Sequence, residues 1–116
     1  MKTYTKIGSK QLQFFQSVLG NEFVFADSES LVKYSKDETE DLRFAPECVL
    51  KPRTPQEISA VLKYCNEKHI PVTTRGAGTA LSGGALPIFG GVLLSMERVN
   101  SILQIDQRNL QATVEP

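Results

Sequence analysis

The stretch Arg75-Gly76-Ala77-Gly78-Thr79-Ala80-Leu81-Ser82-Gly83-Gly84-Ala85 is the part of this sequence most able to do chemistry. Four of its eleven residues are Gly and three are Ala. A backbone this bare can turn sharply and aim successive N–H groups at one point. A concave row of such donors binds anions, phosphate above all. Thr79 and Ser82 add hydroxyls, and Arg75 is the single cation of the stretch, able to offset diphosphate charge. The spacing excludes two well-known phosphate loops. A G-x-G-x-x-G dinucleotide fingerprint begun at Gly76 needs glycine at position 81, where Leu81 stands. A Walker loop ends in Gly-Lys-Ser/Thr, and the stretch has no lysine. Composition and spacing leave two readings open: an anion cradle, or a glycine-rich turn that merely connects two strands.

The flanking elements are those a cradle would need. Cys48-Val49-Leu50 lies between Pro46 and Pro52, which predicts a short buried strand with proline outside its ends. Thr54 is set as an N-cap, Pro55 as the first helical residue, and Glu57 as the partner in a capping box. Ile58, Val61, Leu62 and Cys65 then fall on one helical stripe. Pro71 biases Ile70 away from helical angles, so the helix should stop near His69. A strand over 70–74 leads into the glycine-rich stretch. The order strand, helix, strand predicts a βαβ crossover between parallel strands. Beyond the stretch, 91–95 reads as a buried strand. Residues 102–105 and 111–115 read as an antiparallel ribbon turning at Asp106-Gln107-Arg108-Asn109. Upstream, 9–20 predicts a helix capped by Ser9 and stopped by Gly20, with Leu12, Phe15, Val18 and Leu19 on one face. Phe23-Val24-Phe25 reads as a small strand or extended link, Ser28 to Tyr34 as a helical turn or two, and 36–41 as a polar surface loop. The fold class expected is α+β, built around the βαβ unit.

Composition narrows the function classes. The chain has 116 residues, with 13 Lys+Arg against 13 Asp+Glu. That balance speaks against sequence-independent nucleic-acid binding, which needs clustered cations. No apolar run approaches a membrane span, and Met1 to Lys6 lead into no signal-peptide apolar stretch. The expected setting is cytoplasmic, with reduced thiols. Cys48 and Cys65 have neither metal-ligand nor Cys-x-x-Cys spacing and read as small core residues. His69, the sole histidine, has no nucleophile partner and reads as a helix-terminal residue. Asp37, Glu38, Glu40 and Asp41 lack a calcium-loop pattern and read as a solvated face. No metal site and no catalytic residue is expected.

The segments Pro46–Pro52, Thr54–Ile58, Ile70–Thr79, Leu81–Ala85 and Gly91–Leu94 occur in an order that carries a resemblance. Together they resemble the N-terminal part of the FAD-binding domain of the vanillyl-alcohol oxidase/p-cresol methylhydroxylase superfamily. Within it, the group of glycolate oxidase flavoproteins and D-lactate dehydrogenases is the nearest likeness. Tyr34–Glu40, Met96–Asn100 and Asn109–Pro116 share that group's pattern, so the resemblance covers 30–116. It implies noncovalent FAD with its diphosphate on the loop. Gly76, Ala77, Gly78, Thr79, Ser82 and Gly83 would hold it, Arg75 and Gly84 would support, and Pro52 would border the flavin side. It implies oxidation of a small 2-hydroxy acid to a 2-oxo acid, with hydride passing to flavin N5. His69 lies outside the loop, where a covalent flavin link is not expected.

Family members are several times longer, so the expected organisation is an N-terminal helical segment, 1–29, and a partial FAD-binding domain, 30–116. The expectation is a fragment that binds FAD weakly or not at all and is inactive alone. Its expected partners are the remainder of the FAD domain, a cap domain and an iron–sulfur subunit. An uncovered sheet edge or core face would also favour a homodimer. Two alternatives remain: another oxidase of the superfamily, such as an alditol or sugar oxidase or alkyl-glycerone-phosphate synthase, or a noncatalytic assembly module that kept the scaffold.

Overall fold

A computed structural model describes residues 4–35, 45–76, 90–100 and 102–115. The elements run α1 (Ser9–Leu19), a 3-10 turn (Asn21–Phe23), β1 (Val24–Phe25), α2 (Ser28–Lys33), β2 (Cys48–Leu50), α3 (Pro55–Lys68), β3 (Val72–Arg75), β4 (Val92–Ser95), β5 (Ile102–Asp106) and β6 (Gln111–Val114). Four strands make one mixed sheet in the order β1-β2-β4-β3, and β5 and β6 form a separate antiparallel ribbon.

The three parallel strands β2, β4 and β3 are the frame. β2 and β3 are parallel, as the crossover predicts, but they do not touch: β4 lies between them. Side-chain alternation sorts their residues onto two faces. Cys48, Leu50, Val92 and Leu94 share a buried cluster with Phe15, Leu19, Val61, Cys65 and Ile70 of the α1–α3 layer. Val49 and Leu93 face the other way, onto Tyr34, Phe25 and Leu31. Both faces are covered, which is why β2 and β4 are apolar without alternation.

α3 starts as its sequence predicts, with Thr54 Oγ1 accepting the Glu57 N–H at 3.2 Å. The Glu57 carboxylate, however, reaches one residue further back than a capping box requires, accepting from the Arg53 N–H at 2.8 Å. The helix ends at His69, in the left-handed region at φ 56°. The Ile70 N–H then closes on the Cys65 carbonyl at 2.9 Å, and Ile70 turns into the core. α1 is capped by Gly8 rather than Ser9, with the Gln11 side chain accepting the Gly8 N–H at 2.8 Å. Phe14 stacks on Tyr64 at 3.9 Å, joining α1 to α3.

At the amino ends of the strands, Glu47 ties three segments together. Its carboxylate accepts from Ile7 N–H at 3.3 Å and Gly91 N–H at 2.8 Å. The Gly91 carbonyl accepts Glu47 N–H at 2.8 Å in return. Cys48 and Cys65 are buried, and burial pushes their thiols up to about 12 and about 11. Among the described residues, no helix is long and apolar enough to cross a membrane, and no group of His, Cys, Asp and Glu could hold a metal ion.

Candidate functional site

Parallel strands deliver their carboxyl ends to one edge, where ligands of open α/β sheets gather. Here β2 ends into Lys51, β3 ends at Arg75 and β4 ends at Ser95 and runs into Glu97. Because β4 is central, Glu97 follows the middle strand while Lys51 and Arg75 close the flanking ones. Arg75 belongs to β3, paired in register with Ser95, rather than opening the loop. Its carbonyl accepts the Met96 N–H at 2.9 Å.

A tyrosine from α2's end underlies this edge. Tyr34 is 4% exposed, and its hydroxyl donates to Glu97 Oε1. The other Glu97 oxygen pairs with Lys51 Nζ at 3.1 Å. Burial works to raise the Glu97 carboxyl, but bonds to Tyr34, Lys51 and Ser95 outweigh it and hold the group below the usual carboxylate range. Burial likewise works to lower Lys51, and its bonds to Glu97 and Tyr34 reverse the sign, holding the ammonium above its ordinary value. Three cations stand near the Tyr34 ring centroid: Arg75 at 5.2 Å, Lys33 at 5.3 Å and Lys51 at 5.7 Å.

The neighbouring arginines serve the framework. Arg98 stacks on Phe23 at 3.4 Å and donates to the Lys51 carbonyl at 2.8 Å. Arg53 donates to the Arg98 carbonyl and lies 4.0 Å from Glu115. These contacts fix the end of β2 against the end of β4 and the ribbon.

Of the residues expected to line the loop, Arg75 and Gly76 are described. Gly76 is exposed, and a Cβ added there would meet nothing within 4 Å. Ala77, Gly78, Thr79, Ser82, Gly83 and Gly84 lie outside the described residues. Pro52 is fully buried just past β2. A cation at the end of β3, followed by the open backbone of Gly76, fits an anionic group with paired phosphates. Tyr34, Lys51 and Glu97 received no site role from sequence patterning. The signal available was positional: Lys51 and Glu97 closely follow the ends of parallel strands.

Residues 46–116 match the family model described as an FAD binding domain. The chain is 45% identical over 83 residues to the glycolate oxidase protein GlcD of Bacillus subtilis, covering 72% of this chain and 18% of that protein. It is 31% identical over 111 residues to a Schizosaccharomyces pombe protein assigned as a mitochondrial D-lactate dehydrogenase, covering 90% and 21%. Its fold superposes on p-cresol methylhydroxylase with a TM-score of 0.73 at 34% identity, over 84% of this chain and 20% of that one. The chain thus spans about one fifth of the length of these relatives. The α+β fold of the p-cresol methylhydroxylase type is the one the sequence predicts.

Proposed function

The chain belongs to the FAD binding domain family, and on that premise we propose that it is the diphosphate-holding part of an oxidoreductase acting on a small 2-hydroxy acid such as glycolate or D-lactate. The cofactor is FAD. When bound, FAD supplies the hydride-accepting chemistry that converts the hydroxy acid to a 2-oxo acid. The chain's own residues bind and orient. Gly76, Ala77, Gly78, Thr79, Ser82 and Gly83 offer amides and hydroxyls to the diphosphate, with Gly84 in support. Arg75 and Lys51 offset its charge. The observation that carries this reading is Arg75 closing β3, near the same Tyr34 ring as Lys51, with the open backbone of Gly76 next along the chain.

The names of the relatives support the substrate class. The likeness to p-cresol methylhydroxylase favours, as the second reading, another substrate chemistry of the same superfamily. The partners proposed with it are the rest of the FAD domain, a cap domain and an iron–sulfur subunit. Tight ligands need most of their surface enclosed. A chain spanning a fifth of its relatives therefore binds FAD more weakly than micromolar and turns nothing over alone.

Calorimetric titration with FAD and with riboflavin, which has no phosphates, tests this. Weak FAD binding and undetectable riboflavin binding are expected. Equal binding of the two, or none of FAD at millimolar concentration, overturns the diphosphate role. Turnover of glycolate or D-lactate with a dye acceptor by the purified chain overturns its incompleteness.

A further inference from the structure

The helix α2 has six residues, too few to hold itself together, so its place depends on what grips it. Two carboxylates do. At its amino end, Asp27 accepts the Ser30 N–H at 3.0 Å and the Ser30 hydroxyl at 2.9 Å. At its carboxyl end, the Tyr34 hydroxyl donates to Glu97 Oε1. Between these ties Leu31 and Tyr34 pack with Val49 and Leu93, in a cluster separate from that of α1 and α3. The longer helices start otherwise: the Gln11 side chain caps α1 and the Thr54 hydroxyl caps α3, and neither group titrates. Both α2 carboxylates meet water, since Asp27 is exposed and 40% of the Glu97 side chain is accessible. A proton can therefore reach them without prior unfolding. Bonds to a charged group are roughly twice as strong as neutral ones, so protonation weakens both ties. The charged groups about Glu97 and its Tyr34 partner are Lys51 from the end of β2, Lys33 of α2 and Arg75 of β3, while Glu29 shares the first turn of α2 with the Asp27 cap. The two lysines and the arginine keep their charge throughout the acid range.

We propose that α2 is an acid-released strap: when Asp27 and Glu97 take up protons, Leu31 and Tyr34 lift from Val49 and Leu93 while the α1–α3 side of the sheet stays packed. Bonds to Ser30 hold the Asp27 carboxyl below its ordinary 3.8. Burial works to raise Glu97, yet its bonds to Tyr34, Lys51 and Ser95 hold it below its ordinary 4.5. The grip of each is therefore whole above its ordinary value and is lost as pH falls through the lowered one. Release parts Tyr34 from the carboxyl edge of the sheet, so that edge comes undone before the core does. The strap needs no bound cofactor and stands apart from the diphosphate reading.

Hydrogen exchange on the 15N-labelled chain tests this, with each observed rate divided by the intrinsic rate at its pH to give an opening constant. The Leu31 and Tyr34 amides, bonded to the Asp27 and Ser30 carbonyls, report on the strap, and the Val61 and Cys65 amides report on α3. From about pH 6 to about pH 3, strap opening should rise about fivefold or more and α3 opening by less than about twofold. The Asp27→Ala/Glu97→Gln chain should open its strap at about pH 6 as the parent does at about pH 3, and change little with further acid. Strap and α3 amides that open by the same factor mean global acid unfolding and overturn the proposal. So does a strap unprotected at neutral pH, or an acid response that survives in the double variant. Should that variant fail to fold, the parent's ratio of strap opening to α3 opening decides, and a ratio that does not rise in acid overturns the proposal.

Discussion

At Gly91 the backbone runs at φ +69°, and an added Cβ would stand 2.3 Å from the Pro71 carbonyl oxygen. That oxygen accepts the Val92 N–H at 2.9 Å, so it cannot retreat without breaking the β3–β4 ladder. Gly91→Ala combines a left-handed residue with a backbone clash. The expected loss of stability is on the order of 3 kcal/mol, read from urea unfolding. Glu97 makes a second prediction at this scale. Its carboxyl is held below the ordinary 4.5, so the stability it lends is present above that value and lost as pH falls through the lowered one. Lys51, held above its ordinary 10.5, lends stability that is present below that value and lost at still higher pH. Urea melts across the acid range should therefore fall more steeply for the parent than for Glu97→Gln. Equal slopes would show that the Tyr34–Glu97–Lys51 bonds do not form in solution.

Among the elements, the β5–β6 ribbon is the one least tied to the core. Its turn is set by Asp106, which accepts the N–H groups of Arg108 at 3.1 Å and Asn109 at 3.2 Å. The next residue, Leu110, is left-handed at φ 53° and 91% exposed, with no packing to offset its strain. Leu110→Gly should slow amide exchange in the ribbon by an amount corresponding to about 0.5–1 kcal/mol, the relief of a left-handed side chain less the chain entropy of glycine. The ribbon and its turn were legible beforehand, as was α3, because alternation, Asp106, Thr54 and Pro55 act over a few residues. The order of the sheet was not. Nothing local in 91–95 says that this strand enters between β2 and β3. The same distance hid Glu47, whose bonds reach 40 and 44 residues away, and Tyr34, whose hydroxyl reaches Glu97. Composition marked the glycine-rich stretch as a candidate, while the cations about Tyr34 come from three separate strand and helix ends.

Over the whole molecule, apolar surface is uneven. Both faces of the main sheet are covered at β2 and β4, but Leu103, Ile105, Leu110 and Val114 leave 64%, 65%, 91% and 58% of their surface in water. A ribbon so exposed should draw a second copy of the chain. Light scattering should show association that grows with concentration and falls in Leu103→Lys/Ile105→Lys. A clean monomer at high concentration would contradict that. The central position of β4 also has a temporal meaning. Until residues past 90 have emerged, β2 and β3 have no hydrogen bond to each other, only a vacant slot one strand wide. The last frame strand to be synthesised is the keystone, and its arrival both closes that slot and brings Glu97 to its two partners. The closing of the sheet and the Tyr34–Glu97–Lys51 contacts thus wait on the same strand.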